Sequence, residues 1–295
     1  MELAGSRILS AASDASSQHD AEKLIGLVEQ LRPEPVAVAV EVNSDRKGKW
    51  KAACLFAEMP NQVELDLLAA ACGCGQFEVC EVAETDWVSK VQEEQLPIPA
   101  GRFWIHSSHQ AASAAGVRIP IEIDPSLAFG TGHHETTQGC LEVMSDLNSR
   151  GFKPMRACDV GCGTGILAIA AAKLWQCAVT ACDNDSCAVE VAVGNLERNR
   201  VEQSVQLICC DGFSDDVFRS GGPFDLAVAN IMSGPLMRLA PSFANNVKNG
   251  GRLVLSGLLE NEGGQVAATF ENVGFAVSGS RRKNDWLTLE LIRSG

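Results

Sequence analysis

Three glycines, in the order Gly161-Cys-Gly163-Thr-Gly165, lie between two acids, Asp159 before them and Asp183 after them. Glycine lets a backbone turn sharply and come close to a ligand, because it carries no Cβ. A carboxylate about 20 residues beyond such a turn can accept hydrogen bonds from ribose hydroxyls. The chemistry this stretch suits is therefore nucleoside recognition. Its spacing narrows the choice. Dinucleotide sites use G-x-G-x-x-G, so that a pyrophosphate rests on the N-terminus of the following helix. Here the third glycine comes one residue early, and Ile166 fills the dinucleotide position. Asp159 sets a carboxylate where the pyrophosphate would approach. An acid there favours a cationic ligand such as S-adenosylmethionine, whose amino and sulfonium groups are both positive. A nicotinamide enzyme and a plain glycine turn are the competing readings.

Three other stretches could carry chemistry. Phe224 to Asn230 reads as a buried strand that ends in a side-chain amide. Such an amide can accept a hydrogen bond from an incoming amine and align its lone pair, although an asparagine helix cap would look the same. Asp211, followed by Gly212, could bond an adenine amino group or could simply form a turn. Asp124 to Thr137 places Gly130 and Gly132 in a flexible loop, Phe129 where it could close over a ligand, and Thr136 and Thr137 at the start of a helix. His133 and His134 adjoin, so their side chains diverge, and His106 and His109 lack a third ligand; no metal is expected. The sequence has no P-loop, no H-E-x-x-H and no nucleophile-elbow serine.

These residues need a scaffold. Residues through about Ser17 are small and polar and are expected to fray. Asp20 to Leu31 has apolar residues at helical spacing, and Pro33 and Pro35 stop it. Val36–Val42 and Trp50–Phe56 pair around a turn at Asn43–Gly48. Asn61–Cys72 is a second helix with Val63, Leu67, Leu68 and Ala71 on its core face, and Phe77–Val82 is another strand. Together these predict a small α+β domain over residues 1–85. Thr85–Val91 reads as a helix within a linker, residues 86–100, closed by Pro97 and Pro99. A larger domain then runs over 101–295, entered through strands at Phe103–His106 and Val117–Ile123. Its later strands are expected at Ala157–Val160, Ala178–Cys182, Val205–Cys209, Leu226–Ala229, Arg252–Ser256, Ala276–Ser280 and Leu287–Ile292. Seven strands with interposed helices predict an α/β fold, a mostly parallel sheet covered on both faces. Its ligand would sit at the carboxyl ends of the strands, where the glycine turn, Asp183, Asp211 and Asn230 converge.

Composition removes several classes. The 295 residues are 46% hydrophobic and 21% charged, ordinary for a globular protein, and no apolar run reaches a membrane span. The polar N-terminus, with Glu2 and Asp14, does not read as a signal peptide. A net charge of −13 argues against a general nucleic-acid binder and suits attraction of a basic protein. Twelve cysteines form no C-x-x-C pair, so they read as reduced cytoplasmic thiols rather than a zinc or disulfide framework.

From about Asp86 onward the chain resembles the ribosomal protein L-eleven methyltransferase family, enzymes that methylate a protein of the large-subunit stalk base. The residues that carry the likeness are Phe129–Thr137 (FGTGHHETT), Asp159–Ala170 (DVGCGTGILAIA), Asp183–Asp185 (DND), Ala229–Ile231 (ANI) and Gly250–Gly257 (GGRLVLSG). The resemblance implies a class I, Rossmann-like methyltransferase domain and S-adenosylmethionine held at Thr137, Gly161, Asp183 and Asn230. It also implies a separate N-terminal substrate-recognition domain on a helical linker. The activity implied is N-methylation of lysine side chains, and of an α-amine, on a ribosomal protein. Asn230 would orient the nitrogen and Phe129 would close the site. Asp159, Gly163, Gly165 and Asp211 complete the expected cofactor set. The partner is that protein alone, with no nucleic acid or membrane, and the enzyme is expected to act as a monomer. Where many amino-methyltransferases carry Asn-Pro-Pro-Tyr, this chain has Asn230-Ile-Met-Ser, and it has no tyrosine at all. A methyltransferase for another protein or a small amine, and a cofactor-binding ribosome-assembly module without turnover, stay open as alternatives.

Overall fold

The computed structural model describes residues 8–28, 31–35, 37–42, 50–82, 97–108, 110, 116–123, 135–220 and 222–294. The chain divides into two compact units, Met1–Glu94 and Gln95–Gly295. The turn expected at Asn43–Gly48, the helix expected at Thr85–Val91, Phe129, and His109, His133 and His134 lie outside the described residues.

In the first unit, strands β1 (Ile8–Ala15), β2 (Ala37–Val42), β3 (Trp50–Phe56) and β4 (Glu78–Val82) form an antiparallel sheet in the order β2-β3-β1-β4. Helices α1 (Gln18–Val28) and α2 (Gln62–Ala71) complete it. The segment expected to fray is thus an interior strand. Leu9, Ala11, Ser13 and Ala15 alternate inward and are buried. Alanine and serine are weak strand formers, so their propensity concealed a strand that pairing on both sides stabilises. Asn61 caps α2, its side chain accepting from the amides of Val63 (3.0 Å) and Glu64 (3.4 Å). The buried face of that helix is Leu65 and Ala69, followed by Cys72, whereas Val63 and Leu67 point outward. Of the residues expected in the core, Leu68 packs against it while Val63, Leu67 and Ala71 are exposed, because α2 is apolar on both sides and periodicity alone does not choose between them.

The second unit opens with a small sheet of β5 (Ile98–Ala100), β6 (Phe103–His106) and β7 (Ile119–Glu122). Helix α3 (Glu135–Ser149) follows. Then come β8 (Arg156–Val160), α4 (Ile166–Trp175), β9 (Ala178–Asp183), α5 (Ser186–Asn199), β10 (Val205–Cys209), α6 (Val217–Ser220) and β11 (Phe224–Asn230). The chain ends with α7 (Ser233–Asn246), β12 (Val247–Leu259), α8 (Gly263–Glu271), β13 (Phe275–Lys283) and β14 (Trp286–Arg293). All seven strands expected after Ala157 are present, in the order β10-β9-β8-β11-β12-β14-β13. The pairs from β10 to β12 are parallel, and β14 runs antiparallel to both its neighbours.

Each face of this sheet is covered. On one, every residue of α4 from Ile166 to Ala172 is buried, so the short apolar helix has no solvent side. Lys173 closes its end, donating to the carbonyl of Pro120 (2.7 Å) and to Asn199 Oδ1 (2.8 Å), which pins β7 and α5 to it. On the other face, Phe243 packs edge-on to Phe213 (4.9 Å between centroids) and near Phe270 (5.8 Å). The chain leaves β8 toward β9 and β10, then returns to place β11 on its other side. That reversal opens a crevice above the carboxyl ends of β8 and β11.

Phe243→Ala is expected to cost about 3–5 kcal/mol, because it empties the centre of this aromatic layer. Urea unfolding should show a lower midpoint at unchanged slope. A cost below about 1 kcal/mol would mean that the layer collapses around the gap.

Candidate active site

β8 ends at Val160, and the chain turns through Gly161 (φ 74°), Gly163 (φ 53°) and Gly165 (φ 79°), left-handed conformations that suit glycine. A Cβ on Gly161 would stand 2.3 Å from Ile231 Cγ2, so the turn lies directly against the end of β11. The amides of Gly161 and Cys162 both donate to the Cys182 carbonyl at 2.9 Å. The Gly163 amide donates to Asp183 Oδ2 (2.8 Å), and the Asp185 amide to Oδ1 (3.1 Å). The carboxylate is thereby fixed in place, and each oxygen keeps lone pairs for further donors.

Asn230 stands at the tip of β11. Its Nδ2 donates to the hydroxyl of Thr137 (3.2 Å), itself wholly buried in the first turn of α3. In this orientation the amide turns its nitrogen toward Thr137. Asn230 Oδ1 is then a buried acceptor with no partner among the described residues. Leaving such an atom unpaired costs free energy unless a ligand supplies the donor. Gly257 (φ 83°) lets β12 pass close by, since a Cβ there would fall 2.4 Å from the Ile231 carbonyl oxygen.

Thr136, Gly161, Gly163, Asp183 and Asn230 line a cavity of about 410 Å³ at this point, completed by Ile231, Met232, Gly257 and Trp286. That volume is of small-ligand size. Among the described residues its lining is mostly apolar, with Thr136, Asp183 and Asn230 as the polar side chains.

Not every expected residue lines the cavity. Asp159 is buried beneath the turn, with Oδ2 accepting from the Ala168 amide (2.9 Å) and Oδ1 unpartnered among the described residues. Burial pushes its carboxyl up to about 7, against the pull of the Ala168 amide and with help from the Asp183 charge. Gly165 gives room to α5, whose Ala192 Cβ a side chain would meet at 3.3 Å. Asp211 is exposed at the head of a turn closed by the Ser214 amide on its carbonyl (3.2 Å). Burial raises the thiols of Cys162 and Cys182, so neither offers a thiolate. Among the described residues no group of three acids, histidines or cysteines could hold a metal ion. The residues that sequence inspection missed had unequal signals. Ile231 and Met232 directly follow Asn230, and Gly257 ends the Gly250–Gly257 stretch that lies within β12. Trp286 has no local signal, because a hairpin from β13 delivers it.

Residues 6–294 match the family model described as Ribosomal protein L11 methyltransferase (PrmA). The chain belongs to the ribosomal protein L11 methyltransferase family. A ribosomal protein L11 methyltransferase of Brucella suis is 35% identical over 292 residues, 98% of this chain and 100% of that protein. One from Chelativorans sp. is 41% identical over 226 residues, covering 77% and 78% respectively. The crystal structure of a ribosomal protein L11 methylase from Lactobacillus delbrueckii subsp. bulgaricus superposes with a TM-score of 0.58 at 27% identity, over 68% of this chain and 100% of that one. This member of the ribosomal protein L11 methyltransferase family is thus an enzyme of class I fold, and its cofactor is S-adenosylmethionine. The cavity fits that cofactor: it offers acceptors for ribose hydroxyls, close backbone approach and, among the described residues, no cation that would repel a sulfonium.

Asp159 supplies a pH signature. Its folded pKa, about 7, lies above its ordinary 3.8, so protonation favours the fold below the ordinary value and that contribution is lost as pH rises through about 7. Asp159→Asn cannot ionise. Relative to wild type, its melting temperature is expected to climb as pH goes from about 4 to about 8. Thermal unfolding without cofactor checks this, and a pH-independent difference would contradict it.

Proposed function

We propose that this enzyme N-methylates lysine side chains, and an α-amine, of ribosomal protein L11. The observation that carries this reading is the unpaired Asn230 Oδ1, a buried acceptor at the wall of the cavity that also holds Asp183. S-adenosylmethionine supplies an electrophilic methyl on a sulfonium. Asp183 would hold its ribose, and Gly161 and Gly163 let the cofactor lie against the turn. Thr137 anchors the Asn230 amide. Asn230 Oδ1 then accepts an N–H from the arriving amine and directs the nitrogen lone pair toward the methyl.

The enzyme must also obtain a neutral amine. With a lysine pKa of about 10.4, roughly one side chain in a few thousand is neutral at pH 7. Ile231, Met232 and Trp286 give the amine an apolar surrounding that disfavours its charged form. Asp183 is assigned to the ribose, so the departing proton passes to water. Phe129 is assigned to closing the site and Asp211 to the adenine side of it.

Residues 1–85 are assigned to choosing the protein substrate, 86–100 to a linker and 101–295 to catalysis. Support comes from placement: every cavity residue belongs to the second unit, while the first maintains a core of its own. The substrate is taken as the free stalk-base protein, without nucleic acid, by a monomeric enzyme in the cytoplasm. All twelve cysteines are free thiols, which suits a reducing compartment. Among the described residues no helix is long and apolar enough to cross a membrane.

Purified enzyme, ribosomal protein L11 and S-adenosylmethionine should yield S-adenosylhomocysteine and methylated protein. Asn230→Ala should lower turnover about a hundredfold through lost orientation, with its melting temperature little changed. Unchanged turnover in the folded variant would remove Asn230 from the mechanism. Asp183→Ala should instead weaken cofactor binding by about 1.5–3 kcal/mol, read by calorimetry; wild-type affinity would contradict the ribose assignment.

A further inference from the structure

Helix α2 spends only one of its two apolar faces on the core. Leu65 and Ala69 are buried in the core of the first unit. Val63, Leu67, Ala70 and Ala71, at i, i+4, i+7 and i+8, share the opposite face and are exposed. Val63 is 66% and Leu67 64% exposed, and Met59, three residues before the helix, is 69% exposed. Contiguous exposed apolar surface with a polar rim marks an interaction site.

The rim is acidic. Glu64 is exposed on α2 next to Val63, and Glu58 is exposed next to Met59 in the chain. From Ala52 to Val82 there are five acids, Glu58, Glu64, Asp66, Glu78 and Glu81, and no lysine or arginine. Such a surface repels acidic partners and attracts a basic one. A ribosomal protein is basic on the surfaces that meet the RNA phosphates. We infer that the Met59–Val63–Leu67 stripe docks the ribosomal protein substrate, seating an apolar contact on Val63 and Leu67 and basic side chains on Glu58 and Glu64. The inference rests on the proposed function and names the surface that serves it. A modest patch suits the task, because a substrate that must leave after methylation needs a small, transient interface.

The test compares wild type with Val63→Ser/Leu67→Ser and with Glu58→Lys/Glu64→Lys. KM and kcat are measured for intact ribosomal protein L11 and for a short peptide bearing its methylated lysine, alongside cofactor affinity and melting temperature. Each double variant should raise KM for the intact protein at least about tenfold, leaving kcat, peptide kinetics and cofactor affinity unchanged. Added salt should raise the wild-type KM and have less effect on the lysine variant. If the serine variant fails to fold, the lysine variant, which keeps the apolar stripe, must still show the KM increase. Wild-type KM in folded variants overturns the docking surface alone. Sedimentation showing a wild-type dimer that the serine variant dissolves, with KM unmoved, would assign the stripe to self-association and overturn it too. No methylation of the intact protein by wild type would instead defeat the proposed function.

Discussion

The bond from the Gly163 amide to the Asp183 carboxylate joins the two halves of the cofactor signature, and the rest of the site is arranged around it. It ties the glycine turn after β8 to the end of β9, with the Gly161 and Cys162 amides reinforcing the tie on the Cys182 carbonyl. Parallel strands make this possible. β8, β9 and β11 all end on the same side, so three short sequence stretches meet without a long loop to bring them together. A carboxylate held by two amides needs no reorganisation when a ligand arrives, which is the condition for tight binding at low entropic cost.

The chemistry follows from a second, weaker constraint. Thr137 takes one end of the Asn230 amide, and the other end is buried with no partner among the described residues. An orphaned acceptor is unfavourable in the free enzyme, so the arriving amine gains more there than it would in water. Ile231, Met232 and Trp286 then make the same place inhospitable to an ammonium. Orientation and deprotonation are thus served by different residues lining one cavity.

Much of this was legible in the sequence, for physical reasons. The seven strands after Ala157 are apolar runs bounded by glycines and acids, and α4 is too apolar to be anything but buried. Gly161, Gly163, Asp183 and Asn230 lie at strand ends, where topology brings them together whatever the loops do. Other features depend on tertiary context. The β1 strand is built of alanine and serine, whose local preference says little. The α2 helix has two apolar faces, and only packing chooses between them. Asp159 follows the rule that a buried carboxylate seeks a backbone amide, so it turns to Ala168 under the turn. Trp286 reaches the cavity through an antiparallel hairpin that no local pattern announces.

The most direct measurement is the mass of ribosomal protein L11 from cells that carry this gene and from cells that lack it. The proposed function predicts that the protein is heavier by whole methyl increments, located on lysines and the α-amine, only where the gene is present. Identical masses in the two strains, with the methyl groups appearing on another protein or on none, would contradict it.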